Sequence, residues 1–77
     1  KLPTLSSLYE TVLITVNDYL VYKFLNKKID FQKLIRLIYK ICNLKEFQKF
    51  KRIKPRNIED IYNLRNYVSS KMDSLSI

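Results

Sequence analysis

A chain of 77 residues makes one domain at most, and a domain this small must draw nearly every apolar residue it has into its core. It has neither glycine nor histidine, which removes glycine-built phosphate loops, the commonest general base and the commonest metal ligand together. A formal net charge of +8 favours anionic partners, although a surplus of Lys, Asn, Ile and Tyr is also what an AT-rich genome produces.

The first apolar pattern is helical. Leu8, Val12, Val16, Leu20 and Phe24 recur every four residues, and Leu5, Tyr9 and Leu13 widen the stripe, so residues 7–25 read as an amphipathic helix. Ser7 and Glu10 have the spacing of a capping box, and Pro3 lies upstream, where it cannot interrupt the helix. Tyr9, Leu13, Val21 and Tyr22 lie beside the main stripe, which suggests that this helix buries a second side against a partner.

Asn26, Lys27 and Lys28 close that helix, and Asp30 is placed to cap the next one, with Ile29 positioned to staple against Leu34. Phe31, Leu34, Ile35, Ile38, Ile41 and Cys42 share one face, so a second helix is expected over residues 31–43, antiparallel to the first across the short connection. Cys42 is the lone cysteine; no internal disulfide is open to it, and its apolar run makes it a small buried hydrophobe in a reducing compartment.

Residues 44–57 read as a basic connection, a loop or frayed helical extension that carries Lys45, Lys49, Lys51, Arg52, Lys54 and Arg56 against the single acid Glu46. Phe47 and Phe50 are interleaved with those cations, a pattern able to place phosphates on Lys and Arg and bases on aromatic faces; the competing reading is a solvated loop. Asn57 then caps a third helix over residues 58–75, with Glu59 and Asp60 complementing the positive end of its dipole rather than forming a metal site. Its buried stripe is Ile58, Ile61, Leu64, Val68, Met72 and Leu75. The expectation is a single all-α domain over residues 1–77, a small three-helix or incomplete four-helix bundle. No apolar run reaches the roughly 20 residues of a membrane span, so the chain reads as soluble. The absence of an initial Met reads as processing from a precursor or excision from a longer polypeptide.

Four stretches in this order resemble a known family: Tyr9-Glu10-Thr11-Val12-Leu13, Asn17-Asp18-Tyr19-Leu20-Val21, Phe24-Leu25-Asn26-Lys27-Lys28-Ile29-Asp30-Phe31 and Asn57-Ile58-Glu59-Asp60-Ile61. Their order and spacing are similar to the C-terminal helical domain of 1-deoxy-D-xylulose 5-phosphate reductoisomerase, over about Tyr9 to Met72. The resemblance implies isoprenoid precursor synthesis by the non-mevalonate pathway, with NADPH and a divalent metal as cofactors of an intact parent enzyme. It implies no cofactor and no catalytic residue in this segment, because the family's nucleotide, metal and phosphate contacts belong to upstream domains. It also implies a plastid-type, apicoplast-like organelle or a bacterial cytoplasm.

The departures are specific. The family's small Asn-Ala-Ala segment is Ile14-Thr15-Val16 here, its Glu is shortened to Asp18 and its preceding glycines are gone. Larger side chains overpack a face built for alanine unless their neighbours change too. The chain therefore reads as a divergent relative, either a working enzyme under compositional bias or, as the favoured reading, a non-catalytic paralogue. Its expected role is structural or protein-interacting, with upstream domains of the same chain or another protein as partner and a homo-oligomer as a further option. The alternative is a basic nucleic-acid-binding module using the six cations between Lys45 and Arg56.

Overall fold

The computed structural model describes residues 7–75; Pro3 and Leu5, assigned above to the approach to the first helix, lie outside them. Among the described residues the chain forms four α-helices and no strand: α1 (Tyr9–Leu25), α2 (Phe31–Cys42), α3 (Lys45–Gln48) and α4 (Ile58–Ser74). A 3-10 turn, Lys49–Arg52, continues directly from α3. The small all-α bundle read from the sequence is the fold observed.

α1 is the hub. It packs against α4 along one flank and α2 along the other, while α3 and the 3-10 turn close over the space between them. Five α1 residues are buried, namely Thr11, Val12, Thr15, Val16 and Leu20, and three of these, Val12, Val16 and Leu20, have no exposed surface. The wide buried arc explains the weak amphipathicity of α1, since a helix covered on several sides no longer needs a single apolar stripe. Around it Leu34, Ile41 and Cys42 come from α2, Phe47 from α3, and Leu64, Val68 and Met72 from α4. The bulky Ile14-Thr15-Val16 segment does not overpack, because Ile14 turns outward at 56% exposure and only Thr15 and Val16 enter the core.

The helix starts follow local chemistry. The Asp30 carboxylate accepts from the Lys33 N–H at 2.7 Å and the Asn57 side chain from the Asp60 N–H at 3.0 Å, each cap contributing about 1 kcal/mol. Ile29 and Leu34 are both buried, consistent with the staple expected across the start of α2. At α1 the Ser7 N–H donates to Glu10 Oε1 at 3.4 Å, which is the return half of a capping box, while the α1 cap position, Leu8, makes no side-chain cap bond.

α1 ends in a Schellman motif, with the Lys28 N–H donating to the Lys23 carbonyl at 2.9 Å and the Lys27 N–H to that of Phe24 at 3.0 Å. The motif requires a left-handed residue, and in a chain without glycine Lys27 occupies it at φ 60°. Because Cβ is disfavoured there, Lys27→Gly is expected to raise stability by about 0.5–1 kcal/mol, read from the urea unfolding midpoint. An unchanged or lowered midpoint would show that the left-handed turn costs nothing here.

Three expectations are corrected. Of the two forms offered for the basic connection, the helical one holds over Lys45–Arg52 and the irregular one over 53–57, but it is not merely a solvated segment: Leu44, Phe47 and Phe50 follow helical spacing, and Phe47 enters the core with no exposed surface. Phe31 and Ile35, assigned to the buried face of α2, are 60% and 52% exposed, because α1 covers only the Leu34–Ile41 side of that helix. Ile58 and Leu75, at the two ends of the α4 stripe, are also exposed, lying beyond the reach of α1.

Candidate interaction surface

The cationic segment is built on a scaffold that the core holds in place. Phe47 meets the Tyr67 ring edge-on, with centroids 6.2 Å apart, and anchors α3 against α4. Gln48 Nε2 donates to the Cys42 carbonyl at 2.9 Å, and the Tyr9 hydroxyl donates to the same oxygen at 2.6 Å, so one acceptor at the end of α2 ties α1, α2 and α3 together. The Leu8 N–H donates to the Ile53 carbonyl at 2.7 Å, fixing the exit of the 3-10 turn to the start of α1.

From that scaffold Lys45, Lys49, Lys51, Arg52, Lys54 and Arg56 all project to solvent. Three of them are engaged nearby: Lys49 Nζ lies 5.2 Å from the Phe50 ring centre, Lys51 Nζ lies 5.0 Å from that of Tyr9, and Arg56 Nε pairs with Asp60 at 3.1 Å. Of the two rings in the expected nucleic-acid pattern, Phe47 is enclosed in the core and Phe50 is half-buried. Asp60 serves the start of α4, as read from the sequence, and also holds Arg56.

Behind the cations lies a triad with no sequence signal, because its members are far apart in the chain. Glu46 accepts from the Tyr67 hydroxyl at 2.6 Å and pairs with Lys71 at 3.0 Å. The Tyr67 hydrogen bond, aided by Lys71, holds the Glu46 carboxyl below the usual carboxylate range, while Glu46 raises the Tyr67 hydroxyl above the usual tyrosine range. A depressed carboxylate stabilises the fold above its unfolded value and loses that contribution as pH falls through the folded value. Thermal midpoints should therefore be flat above about pH 5 and drop on further acidification. Glu46→Gln should shrink the drop, and an unchanged acid limb in that variant would remove Glu46 as a contributor. Burial pushes the Cys42 thiol up, so it stays protonated and poorly nucleophilic at neutral pH.

The second set of candidates, Tyr9, Leu13, Val21 and Tyr22, separates. Tyr9 is spent within the fold on Cys42 and Lys51, Val21 is half-buried, and Leu13 and Tyr22 are 39% and 68% exposed. The larger exposed apolar residues of α1 are Ile14 and Leu25, which the four-residue spacing did not single out. Leu13 and Ile14 join Asn17, Asp18, Ile38 and Cys42 in lining a shallow cleft of about 450 Å³ between α1 and α2.

Among the described residues no three His, Cys, Asp or Glu side chains converge. No helix among them is long and apolar enough to cross a membrane.

No family profile matches the chain, and no solved structure does. The chain is 52% identical over 71 residues to 1-deoxy-D-xylulose 5-phosphate reductoisomerase of Pelagibacter ubique (strain HTCC1062), an alignment covering 92% of this chain and 18% of that protein. Identity this high over 92% of the chain shows it to be a relative of 1-deoxy-D-xylulose 5-phosphate reductoisomerase that spans less than a fifth of that protein's length.

Proposed function

We propose that the chain is a structural helical domain at the C-terminal end of a longer reductoisomerase polypeptide, serving isoprenoid precursor synthesis by the non-mevalonate pathway. The observation that carries this reading is the 52% identity to a reductoisomerase over nearly the whole chain. In this reading NADPH and the divalent metal bind elsewhere in the parent, and the helices supply no reacting group. The core is apolar apart from Thr11 and Thr15 of α1, with Val12, Val16, Leu20, Phe47, Val68 and Met72 fully enclosed, which supports a domain that keeps its packing. That favours a working parent over a degenerate paralogue. The bacterial source of the relative favours a bacterial cytoplasm over a plastid-type organelle.

The test is complementation of cells lacking the reductoisomerase, using the full native polypeptide and, separately, this segment alone. Growth with the first and none with the second is the expected result. Failure of the full polypeptide, at normal expression, would mark a paralogue that has lost the reaction, and growth with the segment alone would overturn the structural role.

Binding to nucleic acid is reduced in this reading to the behaviour of any exposed polycation. The expected affinity of the chain for RNA or DNA is weak at low salt and lost by about 200 mM salt. Tight binding that survives such salt and disappears when Lys49, Lys51, Arg52 and Lys54 are reversed in charge would restore the nucleic-acid alternative.

A further inference from the structure

A cleft of about 460 Å³ opens between the 3-10 turn and the first half of α4. One wall is the α4 face that carries Asp60, Asn63, Leu64 and Tyr67 at helical spacing. The other is Lys49, Phe50 and Ile53, and the buried Leu8 and Leu64 lie at the base. The walls are fixed by bonds within the fold. The Leu8 N–H donates to the Ile53 carbonyl at 2.7 Å, and the edge-on contact of Tyr67 with Phe47 ties α4 to the core. The cleft is therefore formed before any ligand arrives, and its size is that of a small-molecule site.

Two cations share this cleft with the apolar base. Arg56 is oriented by Asp60, which accepts from its Nε at 3.1 Å and its Nη2 at 3.3 Å, and Nη1 makes no bond among the described residues. Lys49 Nζ lies 5.2 Å from the Phe50 ring centre and forms no ion pair among them. Glu46 feels the Lys49 charge, but its oxygens are engaged by the Tyr67 hydroxyl at 2.6 Å and by Lys71 at 3.0 Å. Asp60 is the single acid that lines the cleft, so Lys49 and Arg56 leave it net positive, inside the field of a chain of net charge +8.

We infer that this cleft binds a small amphiphilic anion, a phosphate monoester whose short alkyl or aryl group lies on Leu8, Phe50, Ile53 and Leu64 while Lys49 and Arg56 hold the phosphate. An oriented guanidinium with N–H groups to spare, beside a compact ammonium, suits a tetrahedral anion better than either cation alone. A sugar or nucleobase in place of the apolar group would set polar atoms against the aliphatic base with little beyond Asn63 to meet them, which costs affinity. The inference stands whether or not the parent polypeptide carries out the reductoisomerase reaction.

Acetylation of lysines in the full native polypeptide, quantified peptide by peptide by mass spectrometry, reads the site directly. Phenyl phosphate at low-millimolar concentration, the range open to a ligand of roughly ten heavy atoms, should slow the reaction of Lys49 at least about twofold. Lys27 and Lys33, which do not line the cleft, should be unaffected. Inorganic phosphate and benzyl alcohol, each with half of the chemistry, should not protect Lys49 at the same concentration. Arg56→Gln and Ile53→Gln, both at exposed positions where folding tolerates change, should each abolish the protection.

Several results would overturn the proposal. Equal protection by inorganic phosphate would reduce the site to an anion on a polycation, and equal slowing of Lys27 and Lys33 would make the effect non-specific. Protection that persists in either variant would place the ligand elsewhere in the polypeptide. A Lys49 already slow and unmoved by phenyl phosphate would mean that other parts of the chain fill the cleft. Protection by phosphatidic acid vesicles but not by phenyl phosphate would assign the cleft to a lipid surface instead of a soluble ligand.

Discussion

Phe47→Ala is expected to cost about 3–5 kcal/mol, the range for truncating a large aromatic in a packed core. A domain of this size holds roughly 4–12 kcal/mol in total at the usual 0.05–0.15 kcal/mol per residue, so the variant should lose most of its cooperative urea transition. The cost comes from position: Phe47 is fully enclosed, stacks edge-on against Tyr67 and is the largest of the side chains with no exposed surface. Its loss also loosens α3, which carries Gln48 and Glu46 to their partners on α2 and α4. Phe31→Ala is the matched control. That ring is 60% exposed and makes one edge-on contact with Phe24 at 6.0 Å, worth about 0.5–1.5 kcal/mol. Similar urea midpoints for the two variants would mean that Phe47 does not hold the bundle together.

The same contrast can be drawn within a single helix. Leu20→Ala should cost about 2–5 kcal/mol, because α1 presents Leu20 to the interior with no exposed surface and the cavity left behind cannot collapse without moving two neighbouring helices. Leu25→Ala, five residues further along the same helix, removes a side chain that is 71% exposed and should change stability by no more than about 0.5 kcal/mol. Guanidinium unfolding of the two variants decides it, and equal losses would contradict the burial of α1 by α2 and α4.

These contrasts mark what the residues disclose unaided. Caps are local, so Asp30 and Asn57 could be read from spacing, and each accepts the backbone bond expected of it. The four-residue recurrence of Leu8, Val12, Val16 and Leu20 likewise identified the buried side of α1. Periodicity on α2 fails at Phe31 and Ile35 because it shows which residues share a face, not how much of that face a neighbour covers. On the 45–56 stretch the density of cations masked a helical Leu44-Phe47-Phe50 spacing, and charge on the outward side says nothing about what the inward side buries. The Glu46–Tyr67–Lys71 triad spans more than 20 positions and had no local signature at all. Of Tyr9, Leu13, Val21 and Tyr22, read as lying beside the main stripe of α1, Tyr9 turns inward to Cys42 while Leu13 and Tyr22 are exposed, as is Ile14, which the spacing did not single out.

The hub position of α1 has a consequence for synthesis. A ribosome makes this helix first and α4 last among the described elements, with α2 and α3 between. As α2 emerges it can cover one flank, yet Val12, Val16 and Leu20 stay partly wet until the final turns carrying Leu64, Val68 and Met72 clear the exit tunnel. The nascent chain therefore waits, half-assembled, on α4, a period set by elongation at about 5–20 residues per second. Premature termination inside α4 leaves the central helix without its largest neighbour, and such products are natural substrates for chaperones and proteases rather than partially working domains.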